Sequence, residues 1–282
     1  MSKVILSFPG LGIDNFELNP VAFLTVHWYG IIITLGMVAA FFYAVYRAKQ
    51  IGIKIDDMLD VALFLIPCSV IGARIYYVLT TLDQYDSFLE MIAIWNGGIA
   101  IYGGVIAGVI TVFFVCRYKK LKPLDVMDCI APGLILAQSV GRWGNFFNGE
   151  AFGCVVPETS PLYFLRMGVI SPMSIDKFGN AAMYYVHPTF FYESVWNLVG
   201  FLLMHFLYKK KSFSGEVILW YATWYGFGRM FIEGLRIDSL MIGPFRISQL
   251  VGLVCFVGGL LGIVWGRIYT AKKQARQDVI SE

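Results

Sequence analysis

Charged side chains are scarce in this sequence: 15% of its 282 residues are Asp, Glu, Lys or Arg, whereas 58% are hydrophobic. Soluble domains ordinarily carry about 25% charged residues. The deficit argues against a soluble domain and indicates that lipid is the main solvent of the chain. The aromatic content of 16% and the 29 glycines agree, because Trp and Tyr anchor membrane interfaces and Gly is common in spanning helices.

Metal-ligating and disulfide-forming patterns are also missing. The chain has three histidines and no CxxC pair, which argues against a zinc site. The five cysteines lie mostly in apolar runs without paired spacing, so they are interpreted as small hydrophobic residues rather than a disulfide framework. The first 20 residues lack the basic start and compact apolar run of a cleavable signal peptide, so membrane insertion is assigned to the spans themselves.

Long apolar runs predict an all-α integral membrane protein. A spanning helix needs about 20 apolar residues, and the sequence predicts about seven transmembrane helices within a single polytopic domain, residues 1–282. The predicted spans are 28–46, 58–79, 97–116, 123–147, 188–208, 215–235 and 247–267.

Basic residues predict the orientation of these spans. Clusters of Lys and Arg follow the first, third, fifth and seventh spans, and together they hold fourteen of the 22 basic residues. The positive-inside rule places these clusters in the cytoplasm. The N-terminus is therefore predicted outside, the C-terminus inside, and the hydrophilic segment 148–187 faces outward.

Polar residues inside the predicted spans share one depth. At about 1.5 Å per residue, Arg142 lies about 30 Å beyond Lys122, and Arg229 about 27 Å beyond Lys211. The same count puts further polar residues of four other spans in the outer half of the bilayer: Tyr29, Arg74, Tyr102, and Tyr192 with Glu193. Charged groups within spans usually face a cavity or a partner, so this level is the predicted site.

Two helix faces narrow the prediction to a phosphate site. Tyr225, Arg229, Glu233 and Arg236 are spaced to share one face of the sixth span. Gln138, Arg142 and Asn145 line up in the same way in the fourth span. Guanidinium groups bind phosphate through forked hydrogen bonds that lysine does not reproduce, so the two arginines predict an anionic phosphate held below the outer interface.

Structural roles compete with this interpretation at several positions. Arg229 and Glu233 have the spacing of an internal ion pair, and Glu193 has the character of a residue in an interhelical hydrogen-bond network. For Arg74 a structural pairing is favoured. The glycines between Gly97 and Gly108 are attributed to close helix packing, which small residues permit.

A thirteen-residue segment carries a resemblance to a known family. Residues 141–153, GRWGNFFNGEAFG, match the pattern G-R-x-G-N-F-x-N-x-E-x-x-G and resemble the defining motif of the prolipoprotein diacylglyceryl transferases. Four more segments also match this family and occur in the same order along the chain as in the family. They are His27–Gly30, Gly97–Gly104, residues 187–193 with His187 and Glu193, and Tyr225–Arg236. The resemblance covers essentially the whole chain.

The resemblance implies a bacterial plasma-membrane enzyme that takes phosphatidylglycerol from the bilayer. It would transfer the diacylglyceryl group to the lipobox cysteine of a prolipoprotein signal peptide and release glycerol phosphate. Neither a metal, a soluble cofactor nor nucleic acid is implied. The positions that match functional residues of this family are expected to have the same roles here. The expected catalytic positions are Arg142, Arg229, Tyr29 and Tyr102. The expected substrate-binding positions are Arg142, Asn145, Asn148, Glu150, Gly153, Tyr225 and Glu233.

Tyr102 departs from the family pattern, since many relatives carry at this position a histidine that has been proposed as the base. A phenol has an ordinary pKa near 10 and is a poor base at neutral pH. Either Tyr102 only positions substrate, or the thiol loses its proton to another group.

Three other classes compete with the transferase. A transporter of anionic solutes would explain buried arginines, but it predicts polar groups on both sides of the membrane, whereas the inner halves of most spans are apolar. A scramblase or a non-catalytic lipid scaffold would share the phosphate site and lack turnover. An intramembrane protease is disfavoured, because no Ser/His, paired Asp or zinc-ligand set lies at the shared depth.

Overall fold

The computed structural model describes residues 3–23 and 26–281. Met1, Ser2, Leu24, Thr25 and Glu282, which the predicted domain 1–282 includes, lie outside the described residues. Nine α-helices are present within the described ranges: α1 (Trp28–Gln50), α2 (Ile55–Thr80), α3 (Phe88–Ile92), α4 (Ile101–Lys119), α5 (Pro123–Asn148), α6 (Pro172–Phe178), α7 (Thr189–Leu207), α8 (Glu216–Leu235) and α9 (Ile247–Ser281).

Eight short strands accompany these helices in the described part of the chain. They are β1 (Val4–Phe8), β2 (Ile13–Leu18), β3 (Val21–Phe23), β4 (Val26–His27), β5 (Met167–Ile170), β6 (Tyr184–Val186), β7 (Met241–Ile242) and β8 (Phe245–Arg246). Four of them form one antiparallel sheet in the order β2-β1-β5-β6. The all-α prediction therefore describes the long helices but omits this sheet.

Within the described residues, six helices are long and apolar enough to cross a membrane: α1, α2, α4, α5, α7 and α9. The chain is thus a multi-pass membrane protein by length and composition. Helix α8 occupies the predicted sixth span but is less apolar, because it carries Arg229, Glu233 and several Trp and Tyr residues. The count of seven spans stays a prediction.

Helix boundaries follow local chemistry. Helix α2 begins with Asp56 and Asp57, whose charge suits the positive end of a helix dipole, and α5 begins with Pro123, whose fixed φ suits the first turn. The predicted start of the third span at residue 97 is wrong. Gly97 and Gly98 have φ of 84° and 75°, which a right-handed helix cannot include, so α4 begins only at Ile101.

The chain folds as two compact units, Met1–Phe42 with Ala131–Glu282, and Tyr43–Ile130. In the second unit α2 packs on α4, and Gly72 and Gly103 allow this, because a Cβ on either would overlap the backbone of the other helix. Arg74 is buried there and donates to the backbone oxygens of Glu90, Met91, Gly97 and Gly98. Its role is structural, as the sequence favoured.

In the first unit, the sheet packs on the start of α7. Its buried core consists of Val4, Leu6, Phe152, Met167, Val169, Val186 and Phe190. Strand β1 pairs with β5, so the segment near the N-terminus is hydrogen-bonded to the predicted outward segment 148–187. This pairing gives residues 148–187 a fixed structure between the end of α5 and the start of α7.

Candidate active site

Three arginines converge on the carboxylate of Glu193, which lies in the second turn of α7 and is buried. Arg142 of α5 contacts Oε2 through Nη2, and Arg229 of α8 lies 3.0 Å from Oε1 through Nη1. Arg236 lies 3.4 Å from the same Oε1. Three different segments of the first unit are therefore joined by one side chain.

Arg229 has a second carboxylate partner in its own helix. Its Nη2 lies 2.6 Å from Oε2 of Glu233, which is four residues later and fully buried. The i, i+4 ion pair expected from the sequence is present. The Arg229 guanidinium is thus held between α7 and α8, and its Nη2 also lies 3.5 Å from Oγ of Ser248 in α9.

Arg236 does not belong to the helical face on which the sequence placed it. Helix α8 ends at Leu235, and Arg236 has extended backbone angles of −76° and 146°. The side chain reaches Glu193 from beyond the helix end, while Asp238 accepts from its Nε at 2.9 Å and its Nη2 at 2.7 Å. The prediction of a continuous four-residue stripe is therefore wrong, although Arg236 still joins the cluster.

The Arg236–Asp238 pair is strongly coupled. Burial alone would raise the pKa of Asp238, but the hydrogen bonds and charge of Arg236 outweigh it and lower that pKa below its ordinary value. Burial alone would also lower the pKa of Arg236, and Asp238 with the neighbouring glutamates raises it instead. Both groups are charged at neutral pH.

The charges of this guanidinium cluster balance. Arg142, Arg229 and Arg236 stand against the three carboxylates of Glu193, Glu233 and Asp238. Burying ions is costly unless they are paired, so this balance allows the cluster to persist within the helices. An incoming phosphate would have to share the guanidinium groups with the carboxylates.

Hydrogen bonds between α5 and α7 hold Arg142 opposite Glu193. Ser139 and Ser194 bond reciprocally, each hydroxyl donating to the backbone oxygen of the other residue, at 2.7 and 2.9 Å. The indole of Trp143 donates to Oγ of Ser194 at 3.1 Å. These bonds flank Arg142 and Glu193 in sequence, so the ion pair is positioned by its neighbours.

The carboxylate of Glu150 belongs to a second network, in which its partners are neutral amides. Its Oε1 accepts from Nδ2 of Asn145 at 3.0 Å and from Nδ2 of Asn148 at 3.1 Å. Helix α5 ends at Asn148, and Gly149 and Ala151 then have φ of 60° and 55°. These left-handed residues turn the chain so that Glu150 points back to the last turn of α5.

Gly153 joins the end of this turn to α7 and α8. Its backbone N donates to the oxygen of His187 at 2.8 Å, and it forms a β-bridge with Arg236. A Cβ there would lie 2.8 Å from Cβ of His187 and 3.0 Å from the oxygen of Leu235. Only glycine fits, and this packing positions Arg236 beside the cluster.

Tyr29 and Tyr225 also lie in the first unit. The Tyr29 ring packs on Gly144, where a Cβ would lie 2.8 Å from Cδ2 of the ring. Tyr225 lies one turn before Arg229 and stacks on Tyr221, with 5.7 Å between ring centroids. Tyr102 belongs to the other unit, where it lies in the first turn of α4 with its ring centroid 6.4 Å from that of Tyr76.

Sequence reasoning missed the central position of Glu193. It placed Glu193 at the shared polar depth and weighed an interhelical hydrogen-bond network against catalysis for it, but it did not include Glu193, Arg236 or Asp238 among the catalytic or substrate-binding positions. Glu193 had a detectable signal, because an acidic residue within a predicted span at the depth of two arginines is a natural counter-ion.

Comparison with known proteins gives a consistent result. The family model for prolipoprotein diacylglyceryl transferase matches residues 17–265. A phosphatidylglycerol–prolipoprotein diacylglyceryl transferase of Limosilactobacillus reuteri (strain DSM 20016) is 45% identical over 255 residues, which cover 88% of this chain and 90% of the relative.

Two streptococcal proteins carrying the same name match over similar lengths. The protein of Streptococcus sanguinis (strain SK36) is 43% identical, covering 92% of this chain and 95% of the relative. The protein of Streptococcus uberis (strain ATCC BAA-854 / 0140J) is 42% identical, covering 86% and 91%. The resemblance seen in residues 141–153 is confirmed, and the chain belongs to the prolipoprotein diacylglyceryl transferase family.

Proposed function

We propose that this chain transfers the diacylglyceryl group of phosphatidylglycerol to the lipobox cysteine of prolipoproteins, forming a thioether and releasing glycerol phosphate. The observation that most directly supports this proposal is that Arg142 of α5 and Arg229 of α8 contact the same buried carboxylate, that of Glu193. Carboxylate and phosphate are both recognised by forked guanidinium bonds. Arg142 and Arg229 are thus set at a spacing that suits one oxyanion.

The protein acts as a single polytopic domain of the bacterial plasma membrane, with seven spans, the N-terminus outside and the C-terminus in the cytoplasm. The alternating basic clusters and the bacterial relatives support this arrangement. The guanidinium cluster then lies in the outer half of the bilayer. Phosphatidylglycerol and the signal peptide reach it from the membrane.

The two arginines clamp the phosphate of phosphatidylglycerol. Arg142, with its side chain 19% exposed, and Arg229, at 14%, are not fully buried, and Glu193 holds one nitrogen of each, so the phosphate shares the guanidinium groups with the carboxylates. The cysteine thiolate attacks the carbon of the diacylglyceryl group that is bonded to the phosphate oxygen. A C–S bond forms, the C–O bond breaks, and its electron pair leaves on the phosphate oxygen, where the guanidinium charge stabilises it.

Glu150 accepts the thiol proton in this mechanism. Its partners are the neutral amides of Asn145 and Asn148, and both bind Oε1. Glu193 and Glu233 are instead ion-paired with arginine, so a proton on either would break a buried ion pair. Glu150 therefore suits proton transfer better, which supports the alternative in which the thiol loses its proton to a group other than Tyr102.

The remaining predicted positions orient the substrates. Tyr29 and Asn145 contact the glycerol head group, Tyr225 and Asn148 line its approach, and Gly153 and Glu233 hold the arginines in place. For Tyr102, the positioning role that the family resemblance implies stays a prediction.

The direct test is mass spectrometry of a lipobox peptide incubated with the purified protein and phosphatidylglycerol. We expect a diacylglyceryl mass gain on the cysteine, and no gain with Arg142→Ala. Folded protein that binds phosphatidylglycerol without modifying the peptide would replace this proposal by the lipid scaffold or scramblase.

A further inference from the structure

A groove of about 270 Å³ lies between α7, α8 and α9, and its lining residues do not include those of the guanidinium cluster. Its basic end is formed by Lys210, which is 17 residues, or about 25 Å along a helix, beyond Glu193. The apolar and aromatic residues that line it are Gly200, Leu203, Met204, Leu207, Trp220 and Trp224, and its cations are Lys210 and Arg267.

The aromatic wall of this groove is fixed in advance. Trp224 and Trp196 bond reciprocally, each indole donating to the backbone oxygen of the other residue at 2.9 and 3.0 Å. Their rings stack with centroids 4.2 Å apart. Gly200 lets the Trp224 indole approach α7, because a Cβ at this position would overlap that ring.

Arg267 is fixed by a buried counter-ion. Its Nε and Nη2 each lie 2.6 Å from Oε1 of Glu216, a side chain with no exposure, while Oε2 accepts from the backbone N of Ser212 at 2.5 Å. The Arg267 side chain is 51% exposed, so the guanidinium keeps an open edge at the rim. Since Glu216 balances Arg267, the exposed Lys210 supplies the excess positive charge of the groove.

We propose that this groove binds one anionic phospholipid as a structural ligand. The phosphate lies between Lys210 and Arg267, and an acyl chain follows Leu203, Leu207 and Trp220. Two of the lining helices, α7 and α9, are apolar enough to span the membrane, so lipid tails are the natural apolar occupant. Basic pockets between spanning helices select anionic head groups.

This site goes beyond the proposed reaction, because none of its lining residues belongs to the guanidinium cluster. The lipid is held and not consumed. Phosphatidylserine serves as the probe, and the Lys210 variants separate binding in this groove from binding at the proposed substrate site, because Lys210 lines only the groove.

The test is native mass spectrometry of the full chain in detergent, titrated with phosphatidylserine and, separately, with phosphatidylcholine. We expect phosphatidylserine to bind more tightly. Lys210→Glu should weaken it by about tenfold, because the substitution removes one attraction to the anionic head group and adds a repulsion. Lys209→Glu is the matched control, because Lys209 is equally exposed and does not line the groove.

Equal binding of the two lipids, or equal weakening by Lys209→Glu and Lys210→Glu, would overturn the proposal. A dimeric parent protein that becomes monomeric in Lys210→Glu would also overturn it, since the groove would then be an interface between two copies. Lys210→Gln removes the charge without reversing it and replaces Lys210→Glu if that variant fails to fold. The readout is independent of diacylglyceryl transfer, so failure of the proposed reaction leaves this test intact.

Discussion

Arg142 in α5 and Arg229 in α8 bind the same carboxylate, each through a different oxygen. The shared group, Glu193, is buried in α7, so the two arginines that the proposed mechanism uses are separated by one carboxylate rather than by empty space. Their spacing is therefore set by an anion that belongs to the protein. This relationship makes Glu193 a positioning residue with measurable consequences.

Replacement of Glu193 by Gln should destabilise the protein and lower its activity. Removing one partner from a buried ion pair leaves an uncompensated charge and costs about 3–5 kcal/mol. We expect a lower melting temperature, measured by tryptophan fluorescence in detergent. We also expect a lower kcat for transfer to a lipobox peptide. Glu158→Gln, in an exposed position of the outward segment, is the control and should change neither quantity.

Added phosphatidylglycerol offers a separate test of the role of Glu193. If Glu193 only stabilises the fold, phosphatidylglycerol should raise the melting temperature of the variant as much as that of the parent protein. We expect a larger rise in Glu193→Gln, because the freed guanidinium groups then gain an anion. An equal rise would contradict the positioning role.

Arg142→Lys tests the forked geometry. Lysine keeps the positive charge but presents a point charge instead of two parallel donors. Losing such a donor at the leaving phosphate should lower kcat by about 10²-fold or more, measured by mass spectrometry of the peptide product. Arg276→Lys, at the exposed end of α9, is the matched control. Near-normal turnover of Arg142→Lys would show that charge alone is sufficient.

Glu150→Gln tests the proposed base. The substitution keeps an oxygen that can accept from Asn145 and Asn148 but removes the capacity to take a proton. General-base catalysis contributes about 10²–10⁴ in rate, so kcat for transfer to a lipobox peptide should fall by at least the lower figure. A kcat close to that of the parent protein would assign the proton to another group.

The sequence predicted the helices better than their partners. Apolar runs placed the second span at 58–79 where α2 covers Ile55–Thr80, because lipid burial requires a continuous apolar stretch that any window detects. The last span was predicted to end at 267, whereas α9 continues to Ser281. Residues 271–278 in this extension are mostly polar and exposed, so hydropathy contains no signal for them.

Non-local pairing explains the remaining differences. Helical spacing places Arg142 and Arg229 on defined faces, but it does not say that both faces turn toward Glu193. Strand β1 pairs with β5, which lies about 160 residues later in the sequence. Neither short segment contains a pattern that indicates which strand it pairs with. The candidate site was thus predictable as a set of residue types at one depth, whereas the contacts between these residues were not.

His187 should make stability depend on pH. Burial lowers its pKa below the ordinary value of 6.5, so between these two values the unfolded state binds more protons than the folded state. The free energy of unfolding should therefore decrease as the pH falls below about 6.5. His187→Gln, which does not titrate, should flatten this decrease in melting-temperature scans from pH 7 to pH 5.

His27 provides the control for that experiment, since its side chain is exposed. His27→Gln should retain the decrease seen in the parent protein. The assignment to His187 is contradicted if both variants behave alike, because the acid sensitivity would then come from other groups.

Gly144→Ala tests whether the position of Tyr29 matters for turnover. The added Cβ would lie 2.8 Å from Cδ2 and 3.3 Å from Cε2 of the Tyr29 ring, so the ring must move away from α5. Gly258 in α9 has no heavy atom within 4 Å of the corresponding position, and Gly258→Ala is therefore the matched control. We expect a reduced kcat/KM for Gly144→Ala and an unchanged value for Gly258→Ala.

The double variant separates displacement of the ring from general damage to α5. If Gly144→Ala acts by moving Tyr29, then adding it to Tyr29→Ala should cause little further loss, because the ring that it displaces is already absent. Additive losses would mean that the added methyl group disturbs the neighbouring Asn145 or Arg142 directly. Equal melting temperatures for the two glycine variants would confirm that the loss arises in the site and not in the fold.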